Sequence, residues 1–307
     1  MLRSWLIALG LTLTASTQAA EVPGPLVDPD WVAENRDAVA VVDIRGDPET
    51  FAEGEHIPDA ALARWGAIRT EQEADGVRLR KMLPSRDTFR DRVRGWGVDA
   101  GEAVVITSPG DTAGHVAHMA RLYWQLKYYG HDNVALLDGG NAAWRAADQT
   151  LKGGDTRPQR GNWQVTAQRD ALLADTADVA EIVAEGGAQL VDSRPLRFYL
   201  GLEHKSYVGA PGHIPGARLM PFLDTVTRKG DAGMQFRSAG ELRDFASAMG
   251  IDPEEPVVTY CNSGNVNTVS WLVFHEILDN PDTSAYDGSM HAWTKDPERP
   301  TVTMELE

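Results

Sequence analysis

RSAGELRDFASAMGIDPEEPVVTYCNSG, residues 237–264, has a near-copy earlier in the chain, PSRDTFRDRVRGWGVDAGEAVVITSPG, residues 84–110. Ser85 and Ser238, Gly97 and Gly250, and Val104 and Val257 are each separated by 153 positions. Other pairs flank this one in the same order. VVDIR (41–45) is echoed by LVDSR (190–194), GEHIPDA (54–60) by PGHIPGA (211–217), and LLDGGNAAW (136–144) by AYDGSMHAW (285–293). Their offsets are 149 for Asp43/Asp192 and Asp138/Asp287, and 157 for His56/His213. Anchors that keep their order while spacing drifts by a few residues mark two copies of one unit.

Each copy alternates strand and helix signals. AVAVVDI and AQLVDS are short apolar runs ending in polar residues, the pattern of strands buried on both faces. SAGELRDFASAMG has Ser238 and Glu241 at capping-box spacing, apolar residues at helical intervals and Gly250 as a stop. PVVTY then reads as a strand and NTVSWLVFHEIL as a helix. This alternation predicts an α/β fold: two tandem domains, each a mainly parallel sheet flanked by helices. Residues 1–20 read as a signal peptide, 21–150 as the first domain, 151–170 as a linker and 171–307 as the second domain. The Gly-rich, polar stretch 147–164 carries the boundary.

The signal reading rests on MLRSWLIALGLTLTASTQAA: one Arg, an apolar run from Trp5 to Leu13, and small residues ending at Ala19 and Ala20. That run is too short for about 30 Å of hydrocarbon. The expected location is periplasmic or secreted, with no membrane association after removal of the signal. A formal charge of −16 disfavours nucleic acid and anionic lipid as partners. An anionic substrate would need local cations to overcome that field. No phosphate-binding or dinucleotide fingerprint is present.

The chain has one cysteine, Cys261, at the end of the PVVTY strand. The 153 offset places Ser108 opposite it, so one copy holds a hydroxyl where the other holds a thiol. Open α/β sheets bind ligands at the carboxyl ends of their strands. The loop Asn262-Ser263-Gly264-Asn265-Val266-Asn267 follows and leads into a helix. Gly264 and the asparagines tolerate positive φ, so the loop can turn several peptide N–H groups inward and stabilise a thiolate, helped by the helix N-terminus.

These motifs give the chain a specific resemblance. VDSRP (191–195), GHIPGA (212–217), the cysteine loop (261–267) and YDGSMHAW (286–293) together resemble the two-domain rhodaneses, the thiosulfate/3-mercaptopyruvate sulfurtransferases. The resemblance covers nearly all of the chain after the signal segment. It implies an inactive first domain, with Ser108 at the cysteine position, and a catalytic second domain. It also implies a ping-pong reaction in which Cys261 takes the sulfane sulfur of a small donor as a persulfide and passes it to cyanide or a thiol, with no metal or organic cofactor. Residues 262–267 would cradle the sulfur, and Arg194 and Arg197 would hold the donor's anionic group. The protein is expected to be a monomer.

Asn262 and Ser263 are neutral where thiosulfate-using members often carry basic residues, and Ser263 matches the third position of the Cys-Gly-Ser-Gly pattern of mercaptopyruvate-using members. The exported location favours thiosulfate as the donor. A sulfane-sulfur carrier or redox partner is the non-enzymatic alternative. A Cys-x5-Arg phosphatase shares the strand–loop–helix order, but Asn267 stands where its arginine belongs. His56 and His213 recur in both copies and read as turn residues. His115 and His118 lack the companions of a metal motif. His291, opposite Ala142, is a candidate for the cleft.

Overall fold

The computed structural model describes residues 20–74 and 77–304. The expected signal segment therefore lies, apart from Ala20, outside the described residues. Fourteen strands run in chain order. In the first copy they are β1 (Leu26–Val27), β2 (Val39–Arg45), β3 (Ala61–Arg64), β4 (Thr70–Ala74), β5 (Val77–Met82), β6 (Ala103–Thr107) and β7 (Val134–Leu137). In the second they are β8 (Leu173–Ala174), β9 (Gln189–Asp192), β10 (Arg218–Leu219), β11 (Val226–Arg228), β12 (Met234–Phe236), β13 (Val257–Tyr260) and β14 (Thr283–Tyr286). The order β1-β7-β6-β2-β3 in one sheet is matched by β8-β14-β13-β9-β10 in the other, and every pairing in both is parallel. The duplicated α/β architecture is therefore present strand for strand.

The central strands β6 (AVVIT) and β13 (VVTY) are buried throughout, because helices cover both faces of each sheet. The Ala239–Ala248 helix starts on a complete capping box: Ser238 Oγ accepts from Glu241 N at 3.3 Å, and Glu241 Oε2 accepts from Ser238 N at 3.0 Å. Gly250, at φ +73°, follows its end. The helix after the cysteine loop departs from expectation. It is α-helical only over Asn267–Leu272 and then widens to a π-turn over Val273–Ile277, with Leu278 N bonding back to Val273 O at 2.9 Å. Asn280 N takes Phe274 O as the chain leaves, which uses a carbonyl that the widened turn releases.

Residues 151–170, the expected linker, lie against the first domain. Lys152 bridges to His56, Gly161 N donates to Arg94 O, and Trp163 is buried edge-on against Phe89. The repeated histidines hold turns. His56 stacks on Phe51 and bridges to Lys152; His213 stacks on Tyr199 and bridges to Val302. His118 stacks on Trp65, and burial lowers its pKa to about 4. Among the described residues no group of three or more potential ligands could hold a metal ion, and no helix is long and apolar enough to cross a membrane.

The two hairpins, β4–β5 and β11–β12, each reach across to the other domain. Met234 N donates to Gly110 O, and Phe236 N to Asp138 Oδ1 at 3.1 Å. In the opposite direction Leu83 N donates to Asp287 Oδ2 at 2.7 Å, and Arg80 N to His291 Nε2 at 3.2 Å. The Ala113–Tyr128 helix lies between the domains and is buried nearly all round, with Tyr123 packed against Trp271 of the second domain.

The repeated aspartates differ in one respect. Asp287 meets the buried Arg121 at 2.5 Å, whereas Asp138 pairs with no arginine among the described residues. Burial raises the Asp138 pKa to about 6, against the opposing pull of the Phe236 N–H and Lys229. The native state therefore holds a proton that the unfolded chain releases near pH 4. Asp138 costs stability in full above about pH 6, and the cost fades as pH falls towards 4. Asp138→Asn should thus raise the melting temperature at pH 7.5, and the advantage over the parent should shrink through pH 6 and vanish by pH 4. Paired thermal melts across that range measure it; an advantage independent of pH would contradict the assignment.

Candidate active site

Cys261 follows the last residue of β13, with β9 and β14 on either side. Its position matches Ser108 in the first copy by hydrogen bonding as well as by spacing. Ser108 O accepts from Asn141 N, and Cys261 O accepts from Met290 N, each across to the helix after the neighbouring strand. Cys261 is 2% exposed, yet its surroundings are polar. Sγ accepts the Asn265 N–H at 3.3 Å and lies 3.4 Å from Asn267 Oδ1.

Ser289 Oγ is the other polar atom near the sulfur, at 3.8 Å. It accepts N–H bonds from Cys261 at 3.1 Å and Gly264 at 3.2 Å, and its own proton goes to Tyr286 O at 2.8 Å. This corrects the expected ring of inward amides. The Cys261 and Gly264 amides are spent on Ser289, and among the described residues only Asn265 N–H is aimed at sulfur. A peptide N–H so placed stabilises negative charge there. Ser289 has φ +50°, where its first-copy counterpart is Gly140 at φ +60°. A serine held in this region costs about 1–3 kcal/mol and persists only where the surroundings impose it.

The remaining loop residues are fixed individually. Asn267 Nδ2 donates to Thr259 O and Tyr286 O, bracing the ends of β13 and β14 and locking its carbonyl oxygen towards Sγ. Gly264 has φ +69°, and a Cβ there would stand 2.1 Å from Asp287 Oδ1, so no other residue fits. Asn262 O accepts from His291 N, and Ser263 Oγ lies 3.3 Å from the Tyr207 hydroxyl. Asn265 O takes the Thr268 hydroxyl at 2.7 Å, while its Oδ1 is buried without a partner. Val266 packs against the core between the domains.

Arg194 and Arg197, expected to hold the donor's anionic group, are each paired with a carboxylate. Arg194 is buried and bonded to both Asp192 oxygens and to Gly212 O, with only a 3.4 Å contact to Asn262 Oδ1. Arg45 grips Asp43 and Glu55 O in the same way in the first copy, so the pair is part of the shared scaffold. Arg197 is 68% exposed and pairs with Glu203 at 2.7 Å.

Sequence reasoning missed three groups. Arg121 is fully buried; its NH1 bonds Gly264 O and Asp287 Oδ1, each at 2.5 Å, and its guanidinium lies 4.7 Å from the Trp124 ring centre. Ser289 and Asp287 complete the support of the loop. An arginine in the apolar run MARLYW was the available signal for the first, and the change of DGG to DGS for the second. His291, singled out for the cleft, joins three segments. Its Nδ1–H donates to Tyr207 O at 2.8 Å and its Nε2 accepts from Arg80 N. Both nitrogens are engaged in the neutral form, and burial lowers its pKa.

Comparison with known proteins agrees with this geometry. The family described as Rhodanese-like domain matches twice, over residues 28–147 and 175–296. A Haloferax volcanii protein named as a thiosulfate sulfurtransferase is 31% identical over 284 residues, covering 87% of this chain and 92% of its own. The sulfur carrier protein TtuD of Thermus thermophilus is 30% identical over 282 residues, covering 88% and 94%. The crystal structure of SseA from Escherichia coli, described as a 3-mercaptopyruvate sulfotransferase with the rhodanese fold, superposes with a TM-score of 0.73 at 26% identity, covering 87% of this chain and 98% of that one. The chain belongs to the rhodanese family of sulfurtransferases, with two rhodanese-like domains in tandem.

Proposed function

We propose that the protein moves a sulfane sulfur from thiosulfate to a thiophilic acceptor, cyanide or a thiol, through a persulfide on Cys261. The observation that carries this reading is the lone thiol at the end of β13, with the Asn265 N–H on its sulfur. The thiolate attacks the outer sulfur of thiosulfate; the S–S bond of the donor breaks and sulfite leaves with the electron pair. Cyanide or a thiolate then attacks the terminal sulfur and releases Cys261 as thiolate. With no second cysteine in the chain, nothing within the molecule diverts the persulfide to a disulfide. Periplasmic or secreted placement is part of the same proposal, because thiosulfate is a plausible solute there.

A second donor is favoured by one contact. The Ser263 hydroxyl beside Tyr207 gives polar groups at the loop suited to the carboxylate and carbonyl of 3-mercaptopyruvate. A phosphatase reading finds no support at position 267, where the asparagine amide is occupied bracing two strands.

Two measurements test these assignments. Mass spectrometry after mixing with thiosulfate should show the gain of one sulfur atom, absent in Cys261→Ser, and kcat/KM for thiosulfate should exceed that for 3-mercaptopyruvate. The reverse ratio would select the second donor, and sulfur loading with negligible turnover to cyanide would make the protein a carrier. The support of the loop is tested separately. Ser289→Ala leaves two buried N–H groups without an acceptor and should cost ~1–3 kcal/mol for each group so exposed, with slower sulfur loading. Ser289→Gly removes the positive-φ strain as well, so it should recover stability in denaturant titrations while loading remains slow.

A further inference from the structure

Two cations beside the Cys261 loop pair with no carboxylate among the described residues, and both come from the first domain. Arg69 immediately precedes β4 and Lys81 lies near the end of β5, so they flank the base of the hairpin that crosses to the second domain. Lys81 Nζ is 4.1 Å from the centre of the Tyr207 ring, and the Tyr207 hydroxyl is 3.3 Å from Ser263 Oγ. The Arg69 guanidinium lies 3.7 Å from the centre of the Trp65 ring, with its Nε buried and unpartnered. Among the described residues no aspartate or glutamate is within ion-pair distance of either. Both line a cavity of about 430 Å³ with Gly66, Thr70, Glu71 and Arg80. Its one carboxylate, Glu71, is already engaged by Arg78 and, at 3.6 Å, by Arg80.

This arrangement is costly in the resting protein. Burial and neighbouring positive charge lower the pKa of Lys81, and those of Arg69 fall to about 10 for the same reasons, with Arg121 as the opposing cation. The negative field of Cys261 works the other way on Lys81, whereas Lys205 of the second domain adds to the repulsion. Lys81 also has φ +70°, a region that a non-glycine residue occupies only under strain. Second-domain residues fasten the backbone on both sides of it, at Arg80 N by His291 and at Leu83 N by Asp287. The strain is thus imposed by the same residues that support the cysteine loop. In a chain of net charge −16, this is a half-buried positive site whose one lining carboxylate is engaged by other arginines.

We propose that Lys81 and Arg69 of the first domain bind the anionic end of the sulfur donor, a small sulfonate-type oxyanion, and present its outer sulfur to Cys261. This rests on the sulfurtransferase reading above. A guanidinium fork suits paired oxygens, and an ammonium supplies a point charge to the third. The site supplies positive charge beyond that of Arg194 and Arg197, which are paired with carboxylates, and it gives the thiol-free domain a direct part in recognising the substrate.

The test combines donor kinetics with a donor-independent probe. Lys81→Gln and Arg69→Gln should each raise KM for thiosulfate about tenfold or more, with kcat falling less, and Lys81→Arg should recover most of the loss. In the same variants the rate at which anionic iodoacetate alkylates Cys261, relative to neutral iodoacetamide, should fall several-fold. An unchanged KM together with an unchanged alkylation ratio in both glutamine variants overturns the anion site. A wild-type protein that takes up no sulfur from any donor overturns the sulfurtransferase reading instead, and the alkylation ratio still decides whether the cations act on anions approaching Cys261. If Lys81→Gln does not fold, Arg69→Gln and the salt dependence of the wild-type ratio carry the test.

Discussion

A single buried guanidinium ties the cysteine loop to the opposite domain. Arg121 comes from the long helix of the first domain, and one of its nitrogens bonds both the Gly264 carbonyl and Asp287. The other Asp287 oxygen accepts Leu83 N at the base of the β4–β5 hairpin. Three segments therefore meet on one carboxylate, out of water, where charge-assisted bonds are strong and the loss of one partner leaves an uncompensated charge. The loop that holds Cys261 has its geometry set by two domains jointly, which accounts for a conformation as constrained as Gly264 at φ +69°.

The duplication makes the divergence of the two halves readable one position at a time. Cys261 replaces Ser108, Ser289 replaces Gly140, and His291 replaces Ala142. The first exchanges a hydroxyl for a thiol, and the other two add a polar group to a backbone that both copies share. Ser289 gathers two loop amides, and His291 joins the Tyr207 segment to the hairpin. The first copy has glycine at the left-handed position, where it costs nothing, while its Ser108 hydroxyl is buried without a partner. The Asp–Arg pair after the first central strand is the same in both halves, and so belongs to the scaffold and not to the chemistry.

Much of the fold was legible because it depends on local order. Apolar runs such as VVTY, the Ser238–Glu241 box and Gly250 state their structure within a few residues, and the repeat supplied the topology. The cysteine's place at a strand end followed from the same pattern. What escaped was set by contacts between copies. Nothing within residues 69–81 announces that their hairpin leaves its own domain, and Arg121 looks like an anomaly in an apolar helix until Asp287 is placed beside it. Arg194 and Arg197 stand just after β9, a neighbour of the cysteine's strand, but a place in the sequence does not show whether a guanidinium is already paired. The π-turn after Leu272 was equally hidden, since it answers to how the chain exits at Asn280.

The sulfur's own surroundings explain why charge has to be brought from elsewhere. One peptide N–H reaches Sγ, and the nearby carbonyl of Asn267, held in place by two strand ends, offers no stabilisation to an anion. Two further amides that could have faced the sulfur are directed to Ser289. A loop of this kind holds the thiol firmly with one amide bonded to it, and the chain as a whole is acidic. A dianionic donor would be repelled by the surface and only weakly attracted by the loop. The division of labour that the proposal implies is physical: the second domain holds the sulfur still, and the first brings positive charge towards it, through a hairpin that the second domain itself fastens in place.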